Sequence, residues 1–143
     1  IVAYAQGLDL IRTASEHYGW SVELKEMARI WKGGCIIRAR LLDDIMRAYE
    51  RRPDLPNLLL DEELRSMIHS VQEPWRQVVA LAQQRGVPVP AMSASLAYFD
   101  SLRSSWLPQS LTQAQRDAFG AHTYQRDDVD EAPFVHTEWL GRS

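Results

Sequence analysis

Apolar residues recur at intervals of three and four along almost the whole chain, and this spacing most constrains the fold. One clear example consists of Leu24, Met27, Ala28 and Trp31. A helix presents such a stripe on one face, whereas a half-buried strand alternates apolar and polar residues. No segment alternates strictly, and no Asn-Gly or Asp-Gly turn is present to join two strands. The sequence therefore predicts an all-α fold without a Rossmann unit.

Glycine, proline and capping residues set the ends of the predicted helices. The first helix runs from Ile1 to His17 and ends before Gly19, a residue that favours the left-handed conformation of a helix end. Asp61 is a predicted N-cap, and Pro74 is expected to end that helix and to begin another. The helix that begins at Pro74 is closed by Gly86. A further helix carries the stripe of Ile37, Leu41 and Ile45 and ends before Pro53. The remaining predicted helices are 22–31, 90–103 and 111–119.

Two glycines separate the second and third predicted helices. No strand precedes Gly33 and Gly34, so they do not form the glycine-rich turn of a dinucleotide site. We expect them instead to let two helices approach closely. Cys35 begins an apolar run with Ile36 and Ile37. These neighbours predict a buried, unreactive thiol and not a nucleophile.

The composition is typical of a globular domain, with 45% hydrophobic and 24% charged residues in a chain of 143. The formal net charge of -3 gives no general attraction for nucleic acid or for an anionic membrane surface. No run of 18 apolar residues is present to span a bilayer. The single cysteine excludes an internal disulfide, and we expect a reducing, cytoplasmic compartment.

The histidines and the paired carboxylates do not form a metal or catalytic motif. The four histidines are His17, His69, His122 and His136. No two of them lie four residues apart and none has a cysteine nearby, so we expect no metal site. The acidic pairs Asp43-Asp44 and Glu62-Glu63 are adjacent, and adjacent helix positions do not face one another. These carboxylates are expected on solvated faces or at helix ends.

The chain changes character after Tyr124. Residues 125–133 are polar and acidic, and an aromatic cluster follows them. Phe134, Val135 and Trp139 would each gain about 1.5–3 kcal/mol on burial, yet so short a tail cannot form a core of its own. We therefore expect these three residues to dock on the body of the protein or on another chain.

Arg116 and His122 form the strongest candidate for a binding site. Arg116 lies near the end of the last predicted helix, and His122 lies just beyond the glycine stop at Gly120. A bend at Gly120 brings both side chains to one point, where a planar fork of donors and an imidazole suit a phosphate. Chemistry alone favours a plainer interpretation, in which Arg116 and Asp117 are a solvated surface pair.

Several separate segments resemble 6-phosphogluconate dehydrogenases, in the order in which that family has them. They are Tyr4–Gly7, Trp31–Arg38, Pro53–Asp61, Trp75-Arg76, Gly86–Pro90, Gln113–Tyr124 and Phe134–Trp139. Together they extend the resemblance from the first residue to about Gly141. Matches at so many points with the right spacing are much more specific than any single motif.

The resemblance implies an oxidoreductase. Enzymes of this family oxidise the 3-hydroxyl of 6-phosphogluconate with NADP and then release carbon dioxide to give ribulose 5-phosphate, without a metal. Their Lys general base, Glu general acid and NADP-binding Rossmann domain correspond to positions upstream of Ile1. The opening residues also have the pattern of a helix whose beginning is missing. We therefore expect a fragment with no catalytic residue and no cofactor site, inactive alone.

The resemblance also implies a homodimer formed through helices and an exchanged tail. It predicts a helical body over residues 1–107 and a short helix with an extended tail over 108–143 that reaches the partner subunit. There Arg116 and His122 are expected to bind the substrate, with Arg116 at its phosphate. Segment 125–133 receives no role. Two alternatives remain open: a related β-hydroxyacid dehydrogenase with another substrate, and a non-catalytic helical interaction module.

Overall fold

A computed structural model describes residues 1–34, 40–139 and 141 of the chain. These residues form six α-helices, a 3-10 turn and one isolated antiparallel bridge, and no strand. The helices are α1 (Val2–Tyr18), α2 (Leu24–Gly34), α3 (Leu41–Arg51), α4 (Glu62–Gln84), α5 (Pro90–Leu102) and α6 (Gln109–Gly120). The 3-10 turn, Leu58–Leu60, lies between α3 and α4. The all-α prediction is confirmed.

The chain divides into two compact units, Ile1–Asp100 and Ser101–Ser143, called unit 1 and unit 2. The predicted boundary between a helical body over residues 1–107 and a helix with a tail over residues 108–143 stays a prediction. Within the described ranges, no helix combines the length and the apolar character that crossing a membrane requires.

Three predicted helix ends are confirmed. Gly19 ends α1 in the left-handed conformation, with φ 67°, and Gly86 follows α4 with φ 68°. Asp61 caps α4, because its Oδ1 accepts the N–H groups of Glu63 at 3.1 Å and of Leu64 at 3.2 Å. Such caps satisfy N–H groups that have no partner inside the helix.

Pro74 does not begin a new helix, so this prediction is wrong. α4 runs through it from Glu62 to Gln84. Proline removes one helical hydrogen bond, but Pro74 and Ser70 are both exposed, and the carbonyl group of Ser70 can bond to water. Ile68 and Val79 are buried on either side of Pro74, three helical turns apart. One continuous helix keeps both residues on the same buried face.

Gly33 and Gly34 are the last two residues of α2, and the next described helix, α3, begins at Leu41. A Cβ atom added to either glycine meets no described atom within 4 Å. The prediction that they let two helices approach closely is therefore wrong for the described part of the chain. Two further predictions lie outside the described residues: the buried thiol of Cys35 and the start of the third apolar stripe at Ile37.

Unit 1 is held together by apolar side chains that its helices direct into one core. α2 packs against α3, and the 3-10 turn contacts both α1 and α4. The largest fully buried side chains of this core are Leu8, Leu42, Ile45, Leu55, Leu58 and Leu64. Burial of each contributes about 1.5–3 kcal/mol relative to exposure.

Polar side chains join the elements between α3 and α4. The amide of Asn57 accepts the N–H of Leu59 at 3.0 Å and donates to the hydroxyl of Tyr98 at 2.9 Å. Arg51 donates to both carboxylate oxygens of Asp61, at 2.9 and 2.7 Å. Because Asp61 also caps α4, this ion pair holds the end of α3 against the start of α4.

Unit 2 contains α6 and a segment that folds back toward it. Tyr124 and Val135 exchange two backbone hydrogen bonds, of 3.0 and 2.9 Å. Gln125 donates from Nε2 to the carbonyl oxygen of Ala132 at 2.9 Å. These bonds close the polar segment 125–133 into a loop whose two ends lie side by side.

Candidate functional site

Asp117, in the last turn of α6, has a fully buried side chain. Its Oδ1 accepts the N–H of Thr123 at 2.9 Å and lies 3.0 Å from Nδ1 of His136. Its Oδ2 accepts the N–H of Thr137 at 3.0 Å and the indole N–H of Trp139 at 2.8 Å. An ionised carboxylate only accepts hydrogen bonds, so Nδ1 carries the proton in the contact with His136.

These hydrogen bonds keep Asp117 ionised. Burial by itself raises the pKa of a carboxyl group, because water no longer stabilises its charge. The bonds from Thr137, His136, Trp139 and Thr123 outweigh burial and hold the pKa of Asp117 well below its ordinary value of 3.8. The negative end of the dipole of α6 opposes ionisation as well. The donors of the tail therefore determine the charge of this carboxylate.

The three residues after α6, called the 121–123 turn, include two left-handed backbone conformations. The angle φ is 50° at Ala121 and 59° at Thr123, a region that a β-branched residue rarely adopts. Asp117 binds both residues: its backbone oxygen accepts the N–H of Ala121 at 2.8 Å, and its carboxylate accepts that of Thr123. The bend therefore lies in this turn and not at Gly120, where the sequence placed it.

The imidazole of His122 lies over Gly120. A Cβ atom at Gly120 would be 3.0 Å from Nε2 and 3.1 Å from Cδ2 of His122. Gly120 follows Arg116 by four residues, and residues so spaced are neighbours on a helix surface, with Cβ atoms about 5–6 Å apart. The ring therefore lies on the side of α6 that carries Arg116.

One amide group connects Arg116 to the same turn. Oε1 of Gln113 accepts a hydrogen bond from Nη1 of Arg116 at 2.9 Å, and its Nε2 donates to the carbonyl oxygen of Thr123 at 2.5 Å. A guanidinium has five N–H donors, so four remain for an anion. Arg116 and His122 are both exposed. The structure thus brings the two predicted site residues to one exposed surface of unit 2.

This pair has the chemistry of an anion site. The planar fork of Arg116 matches the oxygens of a phosphate, and the imidazole of His122 adds a further N–H donor. The alternative interpretation of Arg116 and Asp117 as a solvated surface pair is wrong, because Asp117 is buried and accepts its hydrogen bonds elsewhere. That the pair binds substrate stays a prediction.

Asp117 is the residue that the sequence analysis missed. A negatively charged side chain in the last turn of a helix is repelled by the negative end of the helix dipole. The position of Asp117 was therefore the one sign in the sequence that this acid has other partners. The donors of its hydrogen bonds, from Thr123 to Trp139, come from a segment without regular structure. No local pattern predicts which acid such a segment contacts.

The aromatic residues of the tail are only partly covered. Trp139 donates to Asp117, yet this residue is 44% exposed, and Phe134 is 69% exposed. Phe119 of α6 is more exposed still, at 86%. The burial expected of Phe134 is not reached within unit 2, and its docking on another chain stays a prediction.

The described residues do not fit a dinucleotide. They contain no strand that runs into a glycine-rich turn and a helix, the unit that holds a pyrophosphate. Within the same residues, no three His, Cys, Asp or Glu side chains are placed to hold a metal ion. We therefore assign no step of cofactor chemistry to them.

Comparison with known proteins identifies the family. The family model described as 6-phosphogluconate dehydrogenase, C-terminal domain, matches residues 1–139. The decarboxylating 6-phosphogluconate dehydrogenase of Synechocystis sp. is 58% identical over 138 residues, which are 96% of this chain and 29% of that protein. The NADP(+)-dependent, decarboxylating enzyme of Bacillus subtilis is 51% identical over 140 residues, 98% of this chain and 29% of that protein.

A solved structure agrees with the fold. It is the 6-phosphogluconate dehydrogenase of Plasmodium falciparum, studied in its apo form, with its cofactor NADP+ and with its substrate 6-phosphogluconate. It aligns with a TM-score of 0.87 and 46% identity, over 96% of this chain and 29% of that chain. The chain therefore belongs to the 6-phosphogluconate dehydrogenase family, as the resemblance indicated, and matches its C-terminal domain. It spans about 29% of the length of these relatives.

Proposed function

We propose that this chain is the C-terminal portion of an NADP-dependent enzyme that converts 6-phosphogluconate to ribulose 5-phosphate and carbon dioxide in the pentose phosphate pathway. Its contribution to the active site is Arg116 and His122, which bind the substrate, with Arg116 at the phosphate. The observation that carries this proposal is the position of both side chains on one exposed surface of α6. The family and the names of the relatives support the reaction.

The division of roles follows from what each side chain offers. Arg116 offers a positively charged, planar fork of donors, so it suits the phosphate, which is the most highly charged group of the substrate. His122 offers an imidazole N–H at the same surface. The Lys base and the Glu acid of the reaction belong to the upstream part of the enzyme, which would bring the sugar carbon and NADP together.

We infer that the protein acts as a homodimer. α4 carries an exposed apolar stripe, and surfaces of this kind mark protein interfaces. The stripe consists of Met67, Val71, Val78 and Leu81. In unit 2, Leu111, Phe119 and Phe134 are exposed as well. These side chains support a dimer formed through helices, in which each tail reaches the active site of the partner subunit.

The test is the substitution Arg116→Ala in the full-length enzyme that carries this segment. We expect the loss of a charged hydrogen bond worth about 1.5–3 kcal/mol, which raises KM for 6-phosphogluconate roughly ten-fold to more than a hundred-fold. Arg126→Ala is the matched control, because Arg126 is an exposed arginine of the same unit that pairs with Asp128. An unchanged KM in Arg116→Ala contradicts the proposal.

A substrate panel separates this proposal from a related dehydrogenase with another acid as substrate. The full-length enzyme is assayed with 6-phosphogluconate and with gluconate, which lacks the phosphate. We expect Arg116→Ala to remove most of the preference for the phosphorylated acid, because its charge acts at the phosphate. Equal turnover of both acids by the unsubstituted enzyme would favour the other substrate class.

A further inference from the structure

Asp117 has no direct part in the proposed substrate contacts, although it is the most completely buried polar side chain of unit 2. Its carboxylate oxygens bind donors from both ends of the segment that folds back toward α6, Thr123 at one end and Trp139 at the other. A buried charge with this many partners fixes the position of everything that it binds. One of the segments it binds is the turn that contains His122.

The 121–123 turn depends on Asp117 for its conformation. The two residues that flank His122 are the left-handed ones, and neither is a glycine. Such conformations persist only where surrounding contacts impose them, and they are concentrated at functional sites. Here the contacts are the hydrogen bonds from Ala121 to the backbone of Asp117 and from Thr123 to its carboxylate.

Gly120 gives an independent reason to regard the position of His122 as specified. Gly19 and Gly86 have positive φ among the described glycines, and Gly120 does not, so its backbone does not require a glycine. The space beside it favours a glycine, because a Cβ atom there would lie 3.0 Å from Nε2 of His122, so the imidazole would have to shift by a few tenths of an ångström. The missing side chain leaves room for the ring on the side of α6 that carries Arg116.

We propose that Asp117 is a positioning residue for substrate binding: it holds the 121–123 turn so that the imidazole of His122 lies over Gly120, beside Arg116. This inference rests on the proposed function, in which Arg116 and His122 bind the phosphorylated acid. Asp117 itself touches neither substrate nor cofactor. It acts by fixing the distance between two groups that must reach the same anion.

The first test is Asp117→Asn in the full-length enzyme. Asparagine keeps the size, but its NH₂ group donates, so the donors that face it lose their acceptor. We expect KM for 6-phosphogluconate to rise by up to roughly a hundred-fold, the effect of misplacing a binding group by about 1 Å. We expect a smaller fall in kcat and an unchanged KM for NADP. Asp128→Asn, at an exposed carboxylate of unit 2 that pairs with Arg126, is the matched control.

The second test is Gly120→Ala, which does not depend on the stability of the Asp117 variant. Alanine favours a helix more than glycine does, so a loss of binding cannot come from a weakened α6. We expect KM for 6-phosphogluconate to rise several-fold because the new methyl group displaces the ring. In a His122→Ala background the same substitution should have no further effect, because no ring remains to be displaced.

The outcomes distinguish this inference from the proposed function. If Arg116→Ala and His122→Ala raise KM while Gly120→Ala and a folded Asp117→Asn variant do not, the positioning role is overturned and the proposed function stands. The positioning role is also overturned if the increases in KM caused by Gly120→Ala and by His122→Ala multiply in the double variant. The two substitutions would then act independently of one another. If Arg116→Ala and His122→Ala leave KM unchanged, both the function and the inference fail.

Discussion

The two units of the molecule are stabilised by different interactions. Unit 1 buries a continuous set of apolar side chains from α1 to α5. In the described part of unit 2, the only buried residues are Ala132 and Asp117, so hydrogen bonds to one carboxylate take the place of an apolar core. Apolar burial is non-directional, whereas hydrogen bonds are directional. Unit 2, which carries the candidate site, is therefore held by the kind of interaction that fixes the positions of side chains.

The two units should also respond differently to substitution and to pH. An apolar core tolerates side chains of similar size and does not respond to pH. A buried carboxylate is sensitive to the loss of any donor and to protonation. The hydrogen bonds to Asp117 thus fix the positions of the backbone around Arg116 and His122. They also make unit 2 more sensitive than unit 1 to single substitutions and to acid.

The largest effect is expected for Phe99→Ala in unit 1. Phe99 is buried among the core side chains and packs against Trp75. Removal of a buried phenyl ring should lower the free energy of unfolding of unit 1 by about 3–5 kcal/mol. Hydrogen exchange of the α4 and α5 amides in the full-length protein measures this change. A loss below about 1 kcal/mol would contradict the assignment of an apolar core to unit 1.

An intermediate effect is expected when unit 2 is acidified. The pKa of Asp117 is lowered in the folded state, so its stabilising contribution is complete above about pH 3.8 and is lost as the pH falls below that value. One linked proton lowers the equilibrium constant for ordering of unit 2 by up to about ten-fold per pH unit. The NMR signal of the indole N–H of Trp139, which donates to Asp117, reports this loss.

The control for acidification is Asp128→Asn, which removes an exposed carboxylate paired with Arg126 and should leave the transition of Trp139 unchanged. Loss of the indole signal already between about pH 6 and 5 lies far above the range in which Asp117 takes up a proton, so another group would then govern the contact. That result would break the assignment of Asp117 as the group that holds unit 2 together.

The smallest effect is expected for Phe119→Ala, the same substitution as in unit 1 but at a position that is 86% exposed. The free energy of unfolding should change by no more than about 0.5 kcal/mol, because hardly any packing is lost. Thermal denaturation at low protein concentration measures it. In the dissociated subunit, a loss as large as that of Phe99→Ala would contradict the absence of an apolar core from the described part of unit 2.

Most of the fold was predictable because helices leave a local signal. The apolar stripes, Gly19 and the capping residue Asp61 specify α1 and the start of α4 within a few residues of sequence. The break predicted at Pro74 was wrong because packing decided it: Ile68 and Val79 need one shared buried face. A propensity acts locally, and tertiary packing can override it.

The site was predictable only in part. Arg116 and His122 came from a resemblance together with the chemistry of phosphate binding, and the structure places them at one surface. Asp117 was not predictable, since its partners lie up to 22 residues away in a segment with no periodic pattern. The left-handed conformations of Ala121 and Thr123 also leave no trace in sequence, because neither residue type favours them.

The four donors that surround Asp117 are of two kinds, and the difference bears on how this region tolerates random mutation. Thr123 and Thr137 donate from the main chain, so almost any amino acid except proline can supply the same bond. His136 and Trp139 donate from their side chains, and few replacements offer an N–H at the same reach. Genetic drift should therefore be freer at the two threonines than at the imidazole and the indole.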